Sequence, residues 1–277
     1  MTIAPGELKL VVSDIDGTLV RGDKTLARPV IDAVARLRAT GVPVSLISAR
    51  PASGMAWIAE TLGLDGPVGA FNGGTIVAGD RVLSEARVPR ATAERALAAC
   101  ALPSVVRWVF SAGTWYAERE SGHDASERKS SNQEPTYRAD LAGLLDAADK
   151  IVAVCDDHDF LARLEGDVAV AIGGSATVGR SQLYYLDVTA TAANKGDGVA
   201  ALAAHFGVPL DAVAVIGDQR NDLAMFARAG LAIAMGNGPD EVRAAAHCVT
   251  VSNDEDGVAR AIDAVLLPLA RGEAPAD

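Results

Sequence analysis

Val11-Val12-Ser13-Asp14-Ile15-Asp16-Gly17-Thr18-Leu19 is an apolar run that ends in two carboxylates two residues apart, followed at once by a glycine. An apolar run of this length, Leu8 to Val12, predicts a buried strand. In open α/β sheets the carboxyl edge of such a strand is where ligands bind. Side chains two apart point to one side while a strand lasts, so both carboxylates can address a single crevice, and Gly17 lets the chain turn sharply beside them. Two like charges this close destabilise each other unless a cation lies between them or one is protonated. A divalent metal answers that need; an Asx turn with solvated carboxylates is the plain alternative for a lone D-x-D.

Outward from this stretch, short β-branched runs alternate with segments of helical periodicity, the pattern of parallel strands joined by helices. Helices are predicted over Arg28 to Arg38, Arg50 to Leu62, Gly196 to Phe206, Asp222 to Arg228 and Asp256 to Leu267. Strands are predicted over Val44 to Ile47, Val68 to Phe71, Val213 to Ile216 and Leu231 to Ala234. The last residues are expected to fray. Between 84 and 189 the composition changes, with Trp108, Trp115, Tyr116, Tyr137, Tyr184 and Tyr185 gathered in an aromatic-poor chain. Val105 to Phe110 and Thr114 to Glu118 resemble a strand pair turning at Ser111, Ala112 and Gly113. The polar stretch Ser121 to Asn132 is read as a solvated loop, with a substrate loop as the alternative. The expectation is an α/β protein with a doubly wound parallel-sheet core, residues 1–83 plus 190–277, interrupted by a smaller inserted α+β domain, 84–189.

Composition narrows the function. The chain has 277 residues, 49% of them apolar, enough for a substantial core. Its formal charge of −11, from 36 acidic against 25 basic residues, disfavours nucleic acid and anionic lipid. No run approaches the roughly eighteen apolar residues of a membrane span, and the first residues lack a signal-type apolar segment, so a cytoplasmic protein is expected. Cys100, Cys155 and Cys248 fall at spacings that suggest neither disulfides nor a zinc site, and are expected to be buried thiols. His158, His205 and His247 have no metal-ligand spacing.

Three further groups carry chemistry. Ile216-Gly217-Asp218-Gln219-Arg220-Asn221-Asp222 follows a β-branched strand and opens a helix, placing Asp218 on the same sheet edge as Asp14. Mg²⁺ takes oxygen ligands and retains waters, which suits carboxylates drawn from separate loops. Lys195 sits at a helix start, where the dipole disfavours a cation; an anionic neighbour is one reading and a solvated surface lysine the other. Ser48-Ala49-Arg50 precedes a helix whose first backbone N–H groups, with the Ser48 hydroxyl, can receive phosphate oxygens. Asn72-Gly73-Gly74 reads as a turn.

These pieces, in this order and at these strand ends, resemble the haloacid dehalogenase superfamily of aspartate-nucleophile phosphatases, and DIDGTLV resembles its first motif, DxDGT. The place of the insertion, between the second and third motifs, and the runs KGDGVAAL and GDQRNDLAMF resemble the Cof-like branch, which includes sugar phosphatases and phosphomannomutases. The resemblance implies a Rossmann-like core whose inserted cap selects substrate, and Mg²⁺-dependent hydrolysis of a small phosphate monoester, such as a sugar phosphate, through an aspartyl-phosphate. Asp14 would be the nucleophile, and Asp16 the acid and then the base. Metal would be held by the Asp14 carboxylate, the Asp16 carbonyl and the Asp218 carboxylate, with Asp222 reaching it directly or through water. Ser48 and Lys195 would hold the phosphoryl group, with Ala49 and Gly73 beside it. Arg50 would contact substrate or close a surface ion pair, Asn72 would lie near the phosphate, and Asn221 would orient Lys195 or the metal shell.

The second motif in this branch commonly reads T-G-R; serine here keeps the hydroxyl, and alanine implies ordinary backbone angles. A phosphosugar mutase would use the same nucleophile but need cap arginines to bind a bisphosphate. Arg107, Arg119, Arg128, Arg138, Arg163 and Arg180 are available, without a visible cluster. A catalytically silent phosphometabolite-binding protein would have lost Asp14, Asp16, Lys195 or Asp218, and none is lost. The remaining expected properties are a small-molecule phosphate ester as partner, no nucleic acid or membrane, and a monomer or homodimer.

Overall fold

The computed structural model describes residues 3–275. The expectation of fraying at the chain's end falls partly on 276 and 277, which lie outside that range. Strand β1 (Leu10–Ser13) leads through helix α1 (Arg28–Arg38) to β2 (Val44–Leu46), α2 (Ala52–Thr61) and β3 (Val68–Ala70), followed by β4 (Thr75–Ala78) and β5 (Arg81–Glu85). The next elements are α3 (Arg90–Ala99), β6 (Val106–Ser111), β7 (Thr114–Ala117), α4 (Asp124–Ser131), β8 (Thr136–Tyr137), β9 (Ala148–Val154), α5 (His158–Ile172), β10 (Thr177–Gln182) and β11 (Tyr185–Thr189). After them come α6 (Lys195–Phe206), β12 (Val213–Gly217), α7 (Leu223–Phe226), β13 (Leu231–Ala234), α8 (Asp240–Ala245), β14 (Cys248–Val249) and a closing helix from Gly257 to Arg271.

The chain divides into two compact units. One contains the residues as far as Ser48, Met55–Leu83, and Asn194 onward; the other contains Ala49–Gly54 and Ser84–Ala193. The second unit therefore takes in a short segment that the sequence reading left in the first domain, and it ends four residues after Thr189.

In the first unit, five strands form a sheet in the order β14-β13-β12-β1-β2, all parallel. Leu10, Val12, Val213, Val215 and Ala232 pack with Val199 and Leu202 of α6 in a buried cluster. Both faces of a parallel sheet are covered, which is why its strands read as continuous apolar runs rather than alternating ones. The fold class is the expected one, mixed α/β with a parallel core.

Three local expectations are corrected. Val68–Ala70 meets the core sheet only by a single parallel bridge, Ile47–Gly69, and its main pairing is antiparallel with β4 in the sheet β3-β4-β5, whose Ile76 packs into the core cluster. Only Phe71 to Gly74 separate β3 from β4, far too few for a parallel crossover, which needs a dozen or more residues. The polar stretch read as a solvated loop contains a helix, α4, and its buried residues are themselves polar: Asp124, Glu127 and Ser131. Asp124 accepts hydrogen bonds from the Ser121 hydroxyl and from the Tyr137 hydroxyl at 2.6 Å, which satisfies the carboxylate that burial strips of water. The closing helix carries a π-helical turn, Ile262–Leu266, immediately before Pro268, whose ring and missing N–H disrupt the preceding turn.

The second unit holds a sheet in the order β10-β11-β9-β6-β7-β8. As expected, β6 and β7 form a hairpin, and the turn residues Ala112 and Gly113 both have positive φ, the conformation two-residue hairpins need. One face of this sheet packs Val109, Ile151, Ala153, Leu186 and Val188 against α3 and α5. By alternation the opposite face carries Trp108, Phe110, Lys150 and Asp187, all buried. Cys100 and Cys155 are buried thiols as expected, while Cys248 is half-buried at the edge strand. Among the described residues no helix is long and apolar enough to cross a membrane.

Candidate active site

The site lies at the carboxyl ends of β1 and β12, adjacent strands in parallel register with Ser13 opposite Ile216. β1 ends at Ser13, so Asp14 is the first residue beyond the ladder, and its N–H still bonds the Ile216 carbonyl at 2.9 Å. That bond fixes Asp14 beside the loop carrying Asp218. Gly17 then turns the chain back with φ +79°; a Cβ there would lie 2.4 Å from Asp218 Oδ2, so only glycine permits this approach.

Asp14, Asp218 and Asp222 converge: one carboxylate oxygen from each lies within 4.8 Å of the others, and all three residues are buried. Lys195 enters from α6, with its side chain 1% exposed and its Nζ 2.7 Å from Asp14 Oδ1 and 2.5 Å from Asp222 Oδ1. Of the two readings of this cation at a helix start, the buried one holds: its anionic neighbours are these two carboxylates. Asn194 caps α6 by accepting from the Asp197 N–H at 2.9 Å.

Asp222 is occupied on both oxygens, with Oδ1 on Lys195 and Oδ2 accepting from the backbone N–H groups of Asp218 and Gln219, each at 2.8 Å. It organises the loop and the lysine. Asp218 accepts from the Thr18 hydroxyl at 2.8 Å, and Asn237 Nδ2 lies 3.5 Å from its other oxygen while donating to the Gly17 carbonyl at 2.9 Å.

Electrostatics follow from burial. Desolvation pushes the Asp14 carboxyl well above the ordinary carboxylate range; Lys195 opposes this, and the charges of Asp222 and Asp218 add to it. Desolvation likewise pushes Asp218 up to about 6, against the Thr18 hydrogen bond. Burial alone would lower the Lys195 ammonium, but Asp14 and Asp222 hold it above its usual value. With all three carboxylates ionised, one ammonium would leave two uncompensated negative charges in a buried cluster, which is why burial raises Asp14 and Asp218 in the absence of a cation. Hard oxygen donors with a surplus of two negative charges fit a divalent cation such as Mg²⁺.

The other expected residues divide. Ser48 follows β2 on the same sheet edge, buried at 1%, and its backbone carbonyl accepts from the Asn72 N–H at 2.7 Å. Phe71, Asn72 and Gly73 form a tight turn with positive φ at all three. Asn221 donates to Asn72 Oδ1 at 3.2 Å, joining the turn to the β12 loop, while Lys195 is held by Asp14 and Asp222. Gly73 touches α6, where a Cβ on Gly198 would lie 2.7 Å from the Gly73 Cα. Ala49 has no positive φ, as expected. Ala49 and Arg50 belong to the second unit; Arg50 is buried at 4% rather than lying at the surface, and donates to the Gly54 carbonyl at 3.1 Å. The Asp16 carboxylate is apart from the trio and accepts from Lys24 Nζ at 2.8 Å.

Sequence reasoning gave no role to Thr18, Asn237 or Lys24. Thr18 stands inside the DIDGT run and could have been noticed there; Asn237 and Lys24 carry no spacing signal, because their partners are brought to them only by folding.

The family model for haloacid dehalogenase-like hydrolases matches residues 11–262, and the chain belongs to that family. A solved structure of a haloacid dehalogenase-like hydrolase from Bacteroides thetaiotaomicron is 28% identical with a TM-score of 0.83, covering 92% of this chain and 98% of that one. The phosphoglycolate phosphatase of Methanosarcina acetivorans is 27% identical over 259 residues, 93% of this chain and 96% of its own. The 5-amino-6-(5-phospho-D-ribitylamino)uracil phosphatase YitU of Bacillus subtilis is 26% identical over 264 residues, 91% of this chain and 95% of its own.

Proposed function

We propose that this hydrolase is a Mg²⁺-dependent phosphatase that cleaves a small phosphate monoester, a sugar phosphate or related phosphometabolite, through an aspartyl-phosphate. The observation that carries the reading is Asp14: a carboxylate 5% exposed, with the Lys195 ammonium 2.7 Å from Oδ1 and a second buried carboxylate, Asp218, beside it. Burial strips Asp14 of water and so raises its nucleophilicity, while Lys195 supplies the positive charge that a phosphate dianion needs in order to approach.

In the first step an Asp14 oxygen attacks phosphorus. The new O–P bond forms as the ester P–O bond breaks, and Asp16 gives its proton to the departing oxygen. In the second, Asp16 takes a proton from water as that water attacks the aspartyl-phosphate. The Asp14 O–P bond breaks, inorganic phosphate leaves, and the Asp14 carboxylate is restored. Lys195 balances the phosphoryl charge in both steps, and the Ser48 hydroxyl, with the turn at Asn72 and Gly73, borders the phosphoryl group. A bound Mg²⁺ would be held by the Asp14 and Asp218 carboxylates and the Asp16 carbonyl, and would neutralise charge on the phosphoryl oxygens.

Substrate preference is assigned to the second unit. The sheet face opposite its helices carries buried polar atoms without hydrogen-bond partners, the indole N–H groups of Trp108 and Trp115 and the Asp187 Oδ1, which suit the hydroxyls of a polar leaving group. The two phosphatases compared above carry, in their names, small organic phosphates as substrates.

A mutase is less favoured because four of the six arginines that could clamp a second phosphate are engaged elsewhere: Arg107 and Arg119 with Glu118, Arg128 with Glu134, Arg180 with Glu165. The test is phosphate release from a panel of phosphometabolites, with Mg²⁺ and with chelator, beside the Asp14→Asn variant. Metal-dependent release that the variant loses supports the reading; no release from any ester, or release that needs a bisphosphate activator, overturns it.

A further inference from the structure

We propose that Asn237 is a positioning residue for the divalent-cation site, holding the Asp218 carboxylate in the direction that receives the ion; the proposal rests on the reading of Asp14 and Asp218 as metal ligands. Asn237 stands in the turn that follows β13, at the same carboxyl edge of the sheet as the loop after β12. Two bonds seat the turn there: the Met235 N–H on the Gly217 carbonyl at 2.9 Å, and the Gly236 N–H on the Val251 carbonyl at 3.1 Å. The glycines on either side of Asn237 permit so close an approach. A Cβ on Gly236 would lie 2.9 Å from the Thr250 carbonyl oxygen, and one on Gly238 2.7 Å from the Asp218 carbonyl oxygen.

The Asn237 amide is oriented from behind. Its Oδ1 accepts from the Asn253 N–H at 3.1 Å, so Nδ2 is the end turned toward Asp218; it donates to the Gly17 carbonyl at 2.9 Å and lies 3.5 Å from Asp218 Oδ2. An amide nitrogen carries two hydrogens, one for each of these acceptors. With the Thr18 hydroxyl on Oδ1 at 2.8 Å, both oxygens of Asp218 face a neutral donor. Gly17 links the two contacts, because a Cβ there would lie 2.4 Å from Asp218 Oδ2: the residue that Asn237 holds by its carbonyl is also one against which that oxygen packs.

The usual reasons for an asparagine in a turn do not apply. Asparagine serves turns by adopting positive φ or by bonding its own backbone two residues on. Asn237 has no positive φ, and its Oδ1 goes to Asn253, sixteen positions away. A lysine or arginine in its place would cancel part of the negative charge that attracts a divalent ion, whereas an amide orients the carboxylate without neutralising it. Mg²⁺ demands near-octahedral ligand geometry, and the groups that hydrogen-bond a ligating carboxylate typically change metal affinity by about 10–100-fold when lost.

The experiment titrates Mg²⁺, and separately Ca²⁺, into the whole metal-free chain by calorimetry without substrate, for wild type, Asn237→Ala, Asn237→Ser and Asp218→Asn. Phosphate release is then followed against Mg²⁺ concentration. Asn237 is exposed and its φ suits any residue, so both of its variants are expected to fold. Asn237→Ala is expected to weaken Mg²⁺ binding about tenfold. Ca²⁺, whose coordination is flexible, should lose under about threefold. Asn237→Ser, too short to reach Asp218 but suited to a turn, should match Asn237→Ala, and the Mg²⁺ concentration for half-maximal release should rise by the same factor as the binding loss.

Unchanged Mg²⁺ affinity overturns the proposal. An equal loss for both ions also overturns it, because that marks a lost ligand or a collapsed loop rather than a misdirected carboxylate. So does slower release with metal binding unchanged, which marks contact with substrate. If wild type binds Mg²⁺ and Asp218→Asn does not, while Asn237→Ala matches wild type, the Asn237 proposal alone fails. If wild type binds no Mg²⁺, the metal reading fails and takes this proposal with it.

Discussion

Lys195 and Asp14 show how differently two partners in one ion pair respond to removal. Lys195 bridges two buried carboxylates, so Lys195→Met leaves Asp14 and Asp222 without compensation; loss of one partner of a buried pair costs about 3–5 kcal/mol. Asp14→Asn keeps the shape, leaves Lys195 paired to Asp222, and removes one of three crowded negative charges. Asp14→Asn is therefore expected to abolish phosphate release while unfolding in urea at or above the wild-type midpoint, and Lys195→Met to lose both activity and stability. An Asp14→Asn protein with wild-type turnover would show that the nucleophile has been misassigned. Asp14, Asp218 and Lys195 could be singled out in the sequence because they stand at strand ends or a helix start, while Asp222 was singled out by the family resemblance rather than by spacing. Thr18 and Asn237 were not given roles, because their contacts to Asp218 span 200 and 19 positions and exist only once the sheet is assembled.

The turn that brings Asn72 to Asn221 depends on how closely Phe71 to Gly73 can approach α6. Gly198 has no side chain, and a Cβ there would meet Ile47 Cδ1 at 2.6 Å and the Gly73 Cα at 2.7 Å. Gly198→Ala must push the helix or the turn outward, and overpacking of this kind costs about 1–3 kcal/mol. Because α6 also carries Lys195, kcat is expected to fall at least about tenfold, one decade for each 1.4 kcal/mol lost from the transition state. The variant's steady-state kinetics and thermal midpoint check this; an unchanged kcat with an unchanged midpoint would mean that α6 does not need this contact. At this scale the parallel strands and the helix Arg28–Arg38 were readable, because apolar runs and 3.6-residue periodicity report burial directly. Helix α4 was not: Asp124, Glu127 and Ser131 have helical spacing on its buried side, but a pattern made of polar residues gives no hydrophobic signal. The β3-β4-β5 sheet was missed because an apolar tripeptide such as Val68–Ala70 does not say which partner it will pair with.

For the molecule as a whole, the acidic site makes stability depend jointly on pH and on a divalent cation. The folded state holds the Asp218 carboxyl near 6 through desolvation, whereas in an unfolded chain it titrates at about 3.9. Between those values the folded protein binds the extra proton, so without metal this group's contribution to stability is greatest at or below about pH 4 and is lost as pH rises through about 6, a change on the order of 3 kcal/mol. Asp149 in the second unit is pushed up to about 6, mainly by burial, and acts with the same sign, so the pH profile of wild type alone would not isolate Asp218. The difference between wild type and Asp218→Asn reports the Asp14–Asp218 pair, which titrates together: in chelator the variant is expected to lose less stability between pH 4.5 and 7. A cation that binds only the folded, deprotonated site stabilises by mass action, so Mg²⁺ should raise the wild-type midpoint more at pH 7 than at pH 5 and should barely move that of Asp218→Asn. Urea titrations at the two pH values, with Mg²⁺ and with chelator, decide it. Parallel pH profiles for the two proteins in chelator would mean that Asp218 is not a strained carboxylate, and an equal Mg²⁺ effect on both that it is not a ligand.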